Sequence, residues 1–180
     1  MTSIAPYLER IDALRTAIAE ADSVLIGAGS GLSTAAGLDY AGDDFRQAFA
    51  TEIARYGFAD LYSAGFYPYA TPEEYWAHWA KHIWFCRYRI GALPLYARLL
   101  RLFPSAFVVT TNVDGQFEKA GFAAERLFAT QGDYRFFQPA SGSPKTLVDN
   151  REWVERVLPR IADCRIPTSC LPTMPDGSPA

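Results

Sequence analysis

The residues of this chain best suited to hold a polar ligand fall in two short stretches. One is Gly27-Ala28-Gly29-Ser30-Gly31-Leu32-Ser33; the other is Thr110-Thr111-Asn112-Val113-Asp114. In the first, Gly27, Ala28, Gly29 and Gly31 let the backbone turn and approach a pyrophosphate without a Cβ in the way. The amides of a following helix can point at the anion, and Ser30 and Ser33 add hydroxyl donors. In the second, an Asn amide can both donate and accept, and an Asp carboxylate accepts, which suits a ribose or a carboxamide. Either stretch also has a plain structural reading: a glycine turn between strand and helix, and a pair of residues capping the helix that follows.

Strands must place these residues. Ser23-Val24-Leu25-Ile26 is a short apolar run feeding the glycine turn, and Ala106-Phe107-Val108-Val109 leads into the Asn/Asp segment. In an open parallel sheet ligands sit beyond the carboxyl ends of the strands, so both stretches are expected at one crevice. A dehydrogenase fingerprint would place a second strand and an acidic ribose ligand about 20 residues after the glycines. Here Asp43 and Asp44 instead lead into a helical pattern, and a helical, aromatic-rich excursion separates the two strands.

With these stretches in place, four ordered motifs carry a family resemblance: Gly27 to Phe45, Tyr62-Ser63-Ala64-Gly65-Phe66-Tyr67-Pro68 with Glu73-Glu74-Tyr75-Trp76-Ala77-His78-Trp79, Thr110 to Phe122, and Thr130-Gln131-Gly132-Asp133. Together they resemble the sirtuins, and most closely the class M branch associated with macrodomains and protein ADP-ribosylation. The resemblance implies a partial doubly wound, Rossmann-like α/β parallel sheet and NAD as cofactor. It implies a cleft-covering helical insertion at about residues 43–103 within a domain of residues 1–163, followed by an irregular tail, 164–180. It assigns Gly27 to Ser33 to the phosphates and Asn112 and Asp114 to the nicotinamide ribose and carboxamide. Gln131 falls where sirtuin deacylases carry a histidine base. An amide does not titrate near neutral pH but still hydrogen-bonds a ribose hydroxyl, so by the resemblance Gln131 favours ADP-ribosyl transfer over deacylation. Two alternatives stand beside transfer: a lysine deacylase using another base or a water, and an inactive remnant that binds a partner through an exposed aromatic edge.

Two further departures from the sirtuin pattern shape the expectations. The places of the usual zinc-binding Cys pairs read Phe137-Gln138-Pro139, Gly142-Ser143-Pro144 and Pro172 to Gly177, with no thiolate. Cys86, Cys164 and Cys170 lack C-x-x-C spacing, so no metal is expected, and His78 with His82 reads as part of a packed aromatic face. The adenosine-binding second half of such a fold has no counterpart before Ala180, so the chain is expected to be C-terminally truncated, with an open apolar edge on its sheet.

Composition bounds the rest. At 49% apolar and 14% aromatic residues the chain is richer in core formers than one small domain requires, and its net charge of −3 offers no basic stripe for nucleic acid. Arg87, Arg89, Arg98 and Arg101 read as a solvated helix face. The start lacks a basic leader and no run is long enough to span a membrane, so a cytoplasmic protein is expected whose partners are NAD and a protein substrate or modified carrier protein. Pro6 followed by Tyr7, Ile11, Leu14 and Ile18 predicts an amphipathic helix that packs on the sheet. The tail after Cys164 has no helical period and little charge, and no stable partner surface of its own is expected of it.

Overall fold

The computed structural model describes residues 6–142 and 146–180. The readings made of residues 1–5 and of Ser143-Pro144 lie outside them. Helix α1 (Tyr7–Glu20) precedes β1 (Leu25–Ala28) and the short α2 (Ser30–Ala35). The excursion then forms α3 (Asp43–Ala48), α4 (Ala50–Tyr56), α5 (Leu61–Ala64), α6 (Pro72–Ile83), a π-helical turn (Trp84–Tyr88) and α7 (Pro94–Leu102). Its boundaries follow local chemistry: Gly57 ends α4 in the left-handed region. Thr71 caps α6 by accepting from the Glu74 amide, with Pro72 and two glutamates in the first turn. After it come β2 (Phe107–Thr110), α8 (Gln116–Ala120), β3 (Leu127–Ala129), a small hairpin of β4 (Phe136–Phe137) and β5 (Val148–Asp149), and α9 (Arg151–Val157).

The three longer strands form a parallel sheet in the order β1-β2-β3. Its register aligns the carboxyl ends: Ala28 pairs with Thr110, and Thr110 with Ala129. The chain therefore leaves all three strands at the same edge, which places Ser30, Asn112 and Gln131 each two residues beyond the aligned row. The expected α/β architecture with a parallel sheet and a helical excursion is present.

Three apolar clusters hold the fold. Tyr96, Val108, Phe117 and Phe122 pack on the sheet, and Leu38, Phe45, Phe49, Leu61 and Phe85 fill the helical excursion. Ile83 of α6, Trp153, Val154 and Val157 of α9, and Phe137 form the third.

Two expectations need correction, and the irregular tail is packed against the core. α1 forms, but none of its residues is buried, and Tyr7, Leu8 and Leu14 stand exposed. A helical period marks an apolar face without specifying what covers it. The tail is packed: Ile166, Cys170 and Met174 are each no more than 4% exposed and join the third cluster, and the Trp153 indole donates to the Cys170 carbonyl at 2.9 Å. Single anchors spaced along irregular backbone leave no period to read. Arg87 is not on a solvated face; it is 4% exposed and doubly paired, and Arg89 pairs with Asp44 and lies over the Phe85 ring, whereas Arg98 and Arg101 are exposed. No described helix is long and apolar enough to cross a membrane.

Candidate functional site

Ser33, Asn112, Asp114 and Tyr96 meet beneath the glycine loop. The Ser33 hydroxyl donates to Asp114 Oδ2 at 2.5 Å and lies 2.6 Å from the Tyr96 hydroxyl. A carboxylate only accepts, so the single Ser33 proton goes to Asp114 and Tyr96 donates to Ser33. Asn112 Nδ2 donates toward the Gly29 carbonyl at 3.0 Å, Ser33 Oγ at 3.1 Å and Tyr96 Oη at 3.2 Å. Its Oδ1 takes no hydrogen bond from the described residues. Burial raises the Tyr96 hydroxyl above its ordinary pKa, which keeps it a donor at neutral pH.

Asp114 is 1% exposed and serves two masters within the chain: Oδ2 accepts from Ser33, and Oδ1 accepts from the Gln116 amide at 3.0 Å, starting α8. Gly115 is the N-cap of α8, so Asp114 closes the turn just before the helix rather than capping it, alongside its place in the cluster. Gln116, fully buried, accepts from the Leu93 amide and donates to the Gly91 carbonyl, tying α8 to the segment that enters α7. Above this cluster Thr110 Oγ1 donates to the Ala28 carbonyl and accepts from the Asn112 amide, locking the two strand ends together.

The glycines of the loop are there for space. Gly27, Gly29 and Gly31 all lack a positive φ, so the turn itself does not require them. A Cβ at Gly27 or Gly31 would meet no atom within 4 Å, and one at Gly29 only Thr111 Oγ1 at 3.4 Å. Side chains would fit the protein here; what their absence provides is an open approach to the backbone. Ala28 is half-buried in β1, and Ser30 is exposed at the start of α2.

Gln131 is exposed and lies apart from the Ser33 cluster. It lines a cleft of about 570 Å³ walled by Tyr75, Trp76 and Trp79 of α6 and by Tyr134, Phe136 and Phe137. Gly132 and Asp133 connect the two regions, since they also line a cavity of about 40 Å³ with Asn112 and Asp114. The amide of Tyr134 donates to the Val113 carbonyl at 2.9 Å, so the segments after β2 and β3 run side by side.

His78 and His82 support the cleft wall from within. His82 stacks on Trp79 and its Nε2 lies 3.0 Å from the Tyr134 hydroxyl, while His78 stacks on Tyr69. Burial pushes His78 down to about 3 and His82 well below its ordinary value, so both are neutral at pH 7. Among the described residues no three His, Cys, Asp or Glu side chains gather as a metal set, and Cys86, Cys164 and Cys170 are buried free thiols.

Sequence reasoning missed Tyr96 and Arg87. Tyr96 is fully buried under the site, yet locally it is one aromatic in the first turn of a helix; no spacing linked it to Ser33, 63 positions away.

No family model matches the chain. It is 30% identical over 169 residues to a "Protein ADP-ribosyltransferase" of Staphylococcus aureus, covering 93% of this chain and 54% of that protein. It is 36% identical over 131 residues to a "Probable bifunctional ADP-ribose hydrolase/ADP-ribosyltransferase" of Fusarium oxysporum f. sp. cubense, covering 67% of this chain and 21% of that one. The chain thus spans about half the length of the first relative and about a fifth of the second. Among solved structures, a "Sir2-p53 peptide-NAD+" complex aligns with 94% of this chain and 60% of its own at 19% identity and a TM-score of 0.42, a likeness too slight to bear on function.

Proposed function

We propose that this chain is a sirtuin-type, NAD-dependent protein ADP-ribosyltransferase of the class M kind. The observation that carries the reading is the aligned edge of the sheet, where Ser30 of the glycine loop, Asn112 and Gln131 each emerge two residues past paired strand ends. Similarity to two proteins named as ADP-ribosyltransferases supports it.

The residues present fit NAD. Gly27 and Gly31 leave open the space a Cβ would fill, which suits close approach of a pyrophosphate to the backbone. NAD supplies the ADP-ribosyl group, the bond from the ribose anomeric carbon to nicotinamide breaking as the acceptor's nucleophile bonds to that carbon. Gly27, Ala28, Gly29, Ser30, Gly31 and Ser33 line the phosphate side. Asn112 holds the loop through Nδ2 and keeps Oδ1 to accept from the ribose or carboxamide. Asp114 fixes Ser33 and, through it, Asn112. Gln131 hydrogen-bonds a ribose hydroxyl without taking its proton, which fits a reaction driven by positioning rather than by a strong base. The aromatic cleft beside Gln131 admits the acceptor, a protein or a modified carrier protein.

The test is transfer of labelled ADP-ribose from NAD to candidate acceptors by the full chain. Transfer is expected, and Asn112→Ala and Gln131→Ala should each abolish it. An unchanged rate in both variants, or NAD-dependent lysine deacylation in place of transfer, would overturn the assignment.

A further inference from the structure

The π-helical turn between α6 and α7 carries one side chain that touches both segments leaving the sheet. Arg89 N donates to the Trp84 carbonyl five residues back, the π spacing, and Arg87 sits within this turn, 4% exposed. Such turns inside helices recur at functional sites because they re-aim a side chain. Arg87 Nε donates to Asp133 Oδ1 at 2.8 Å, and Nη2 donates to Glu118 Oε2 at 2.6 Å. Asp133 Oδ1 also accepts from the Arg135 amide at 2.7 Å, closing the turn that directly follows Gln131 and Gly132, and Gly132 has φ +83°.

The opposite side of the same guanidinium covers Gly115. That residue has φ +66°, directly follows Asp114, and precedes α8, which bears Glu118. A Cβ built on Gly115 would collide with Nε, Cζ and Nη1 of Arg87. The left-handed backbone conformation favours glycine here, and any Cβ would also displace the guanidinium resting on it. Charge alone does not account for Arg87: in the same region the buried ammonium of Lys119 has no hydrogen-bond partner among the described residues. What Arg87 adds is a rigid planar fork that holds two carboxylates on different segments in fixed relative positions, where an ammonium on a flexible stem holds them loosely.

We propose that Arg87 is a positioning residue: its guanidinium clamps the Asn112–Gly115 segment against the Gln131–Asp133 segment and so fixes Gln131 relative to Asn112. The catalytic consequence rests on the transferase reading above; the clamp itself does not.

The experiment uses the full chain and its Arg87→Lys variant, with Arg156→Lys, at an exposed position of α9, as a control of the same type. Backbone amide exchange is followed by NMR at Gly115, Gln116, Gln131, Gly132 and Asp133, and kcat and KM for NAD are measured in parallel. Arg87→Lys should speed exchange at both segments by about tenfold or more, with Ile26 and Val109 in the sheet unchanged. It should lower kcat by about ten- to a hundredfold with KM for NAD within about threefold, because the guanidinium does not touch the glycine loop. Arg156→Lys should change neither. Exchange that rises evenly through the protein, or at one segment only, would overturn the clamp, as would kcat and KM that move only in step with a lower melting temperature. If the unaltered chain transfers no ADP-ribose, the transferase reading fails while exchange still decides the clamp.

Discussion

Replacing Ser33 by Ala removes one hydroxyl from a site where three side chains depend on it. Ser33 is 2% exposed; its Oγ donates to Asp114 at 2.5 Å and accepts from Tyr96 at 2.6 Å and from Asn112 at 3.1 Å. Loss of a donor to a buried carboxylate costs about 1.5–3 kcal/mol, and a stranded tyrosine hydroxyl about 1–3 kcal/mol more. The cavity of about 40 Å³ beside Asp114 is large enough for a water to recover part of this. The expected net loss is about 2–4 kcal/mol, or a melting temperature lower by roughly 5–15 °C for a chain of this size. Urea unfolding measures it, and a double-mutant cycle with Asp114→Asn should give a coupling of about 1.5–3 kcal/mol. Ser30→Ala, at an exposed position in the same loop, should stay within about 0.5 kcal/mol. A Ser33→Ala loss below about 0.5 kcal/mol, or zero coupling to Asp114, would refute the hydrogen-bond assignment.

Gly31→Ala should act with opposite signs on stability and binding. Gly31 lies in α2 with open space around its missing Cβ and no positive φ, so Ala should stabilise the fold by up to about 1 kcal/mol while weakening NAD binding. Thermal melts with and without NAD read both, and undiminished binding would remove the loop from the cofactor site. Acid sensitivity should come from the buried histidines. His78 falls to about 3 on folding from an ordinary 6.5, through burial and then the charge of Lys81, so the unfolded chain takes up its proton first. Stability should be full above pH 6.5 and decline as pH falls toward 3, by up to about 1.4 kcal/mol per pH unit for each histidine. His78→Leu should flatten that slope in urea titrations between pH 6.5 and 4, and an unchanged slope would show that His78 is not neutral when folded.

The sheet and the position of its motifs were legible because short apolar runs ending in glycine or Thr-Asn leave few choices. β1 and β2 fall within two residues of the apolar runs Ser23 to Ile26 and Ala106 to Val109. The start of α6 was readable from Thr71, Pro72 and the two glutamates. What escaped was long-range. Arg87 sits among arginines at near-helical spacing, and only the π turn rotates it inward onto Asp133 and Glu118. The tail hides its anchors at Ile166, Cys170 and Met174 in backbone without period, and each strand of the β4-β5 hairpin has only two residues. The residues of the glycine loop were read in part as turn formers, whereas Gly27, Gly29 and Gly31 have no positive φ and a Cβ at Gly27 or Gly31 would meet open space.

Calorimetry of NAD with the full chain and with Asn112→Ala tests the central claim most directly. The account predicts saturable binding by the native chain and at least about tenfold weaker binding by the variant, equivalent to about 1.4 kcal/mol. Absence of binding up to about millimolar NAD, or equal affinity of the two proteins, would contradict it.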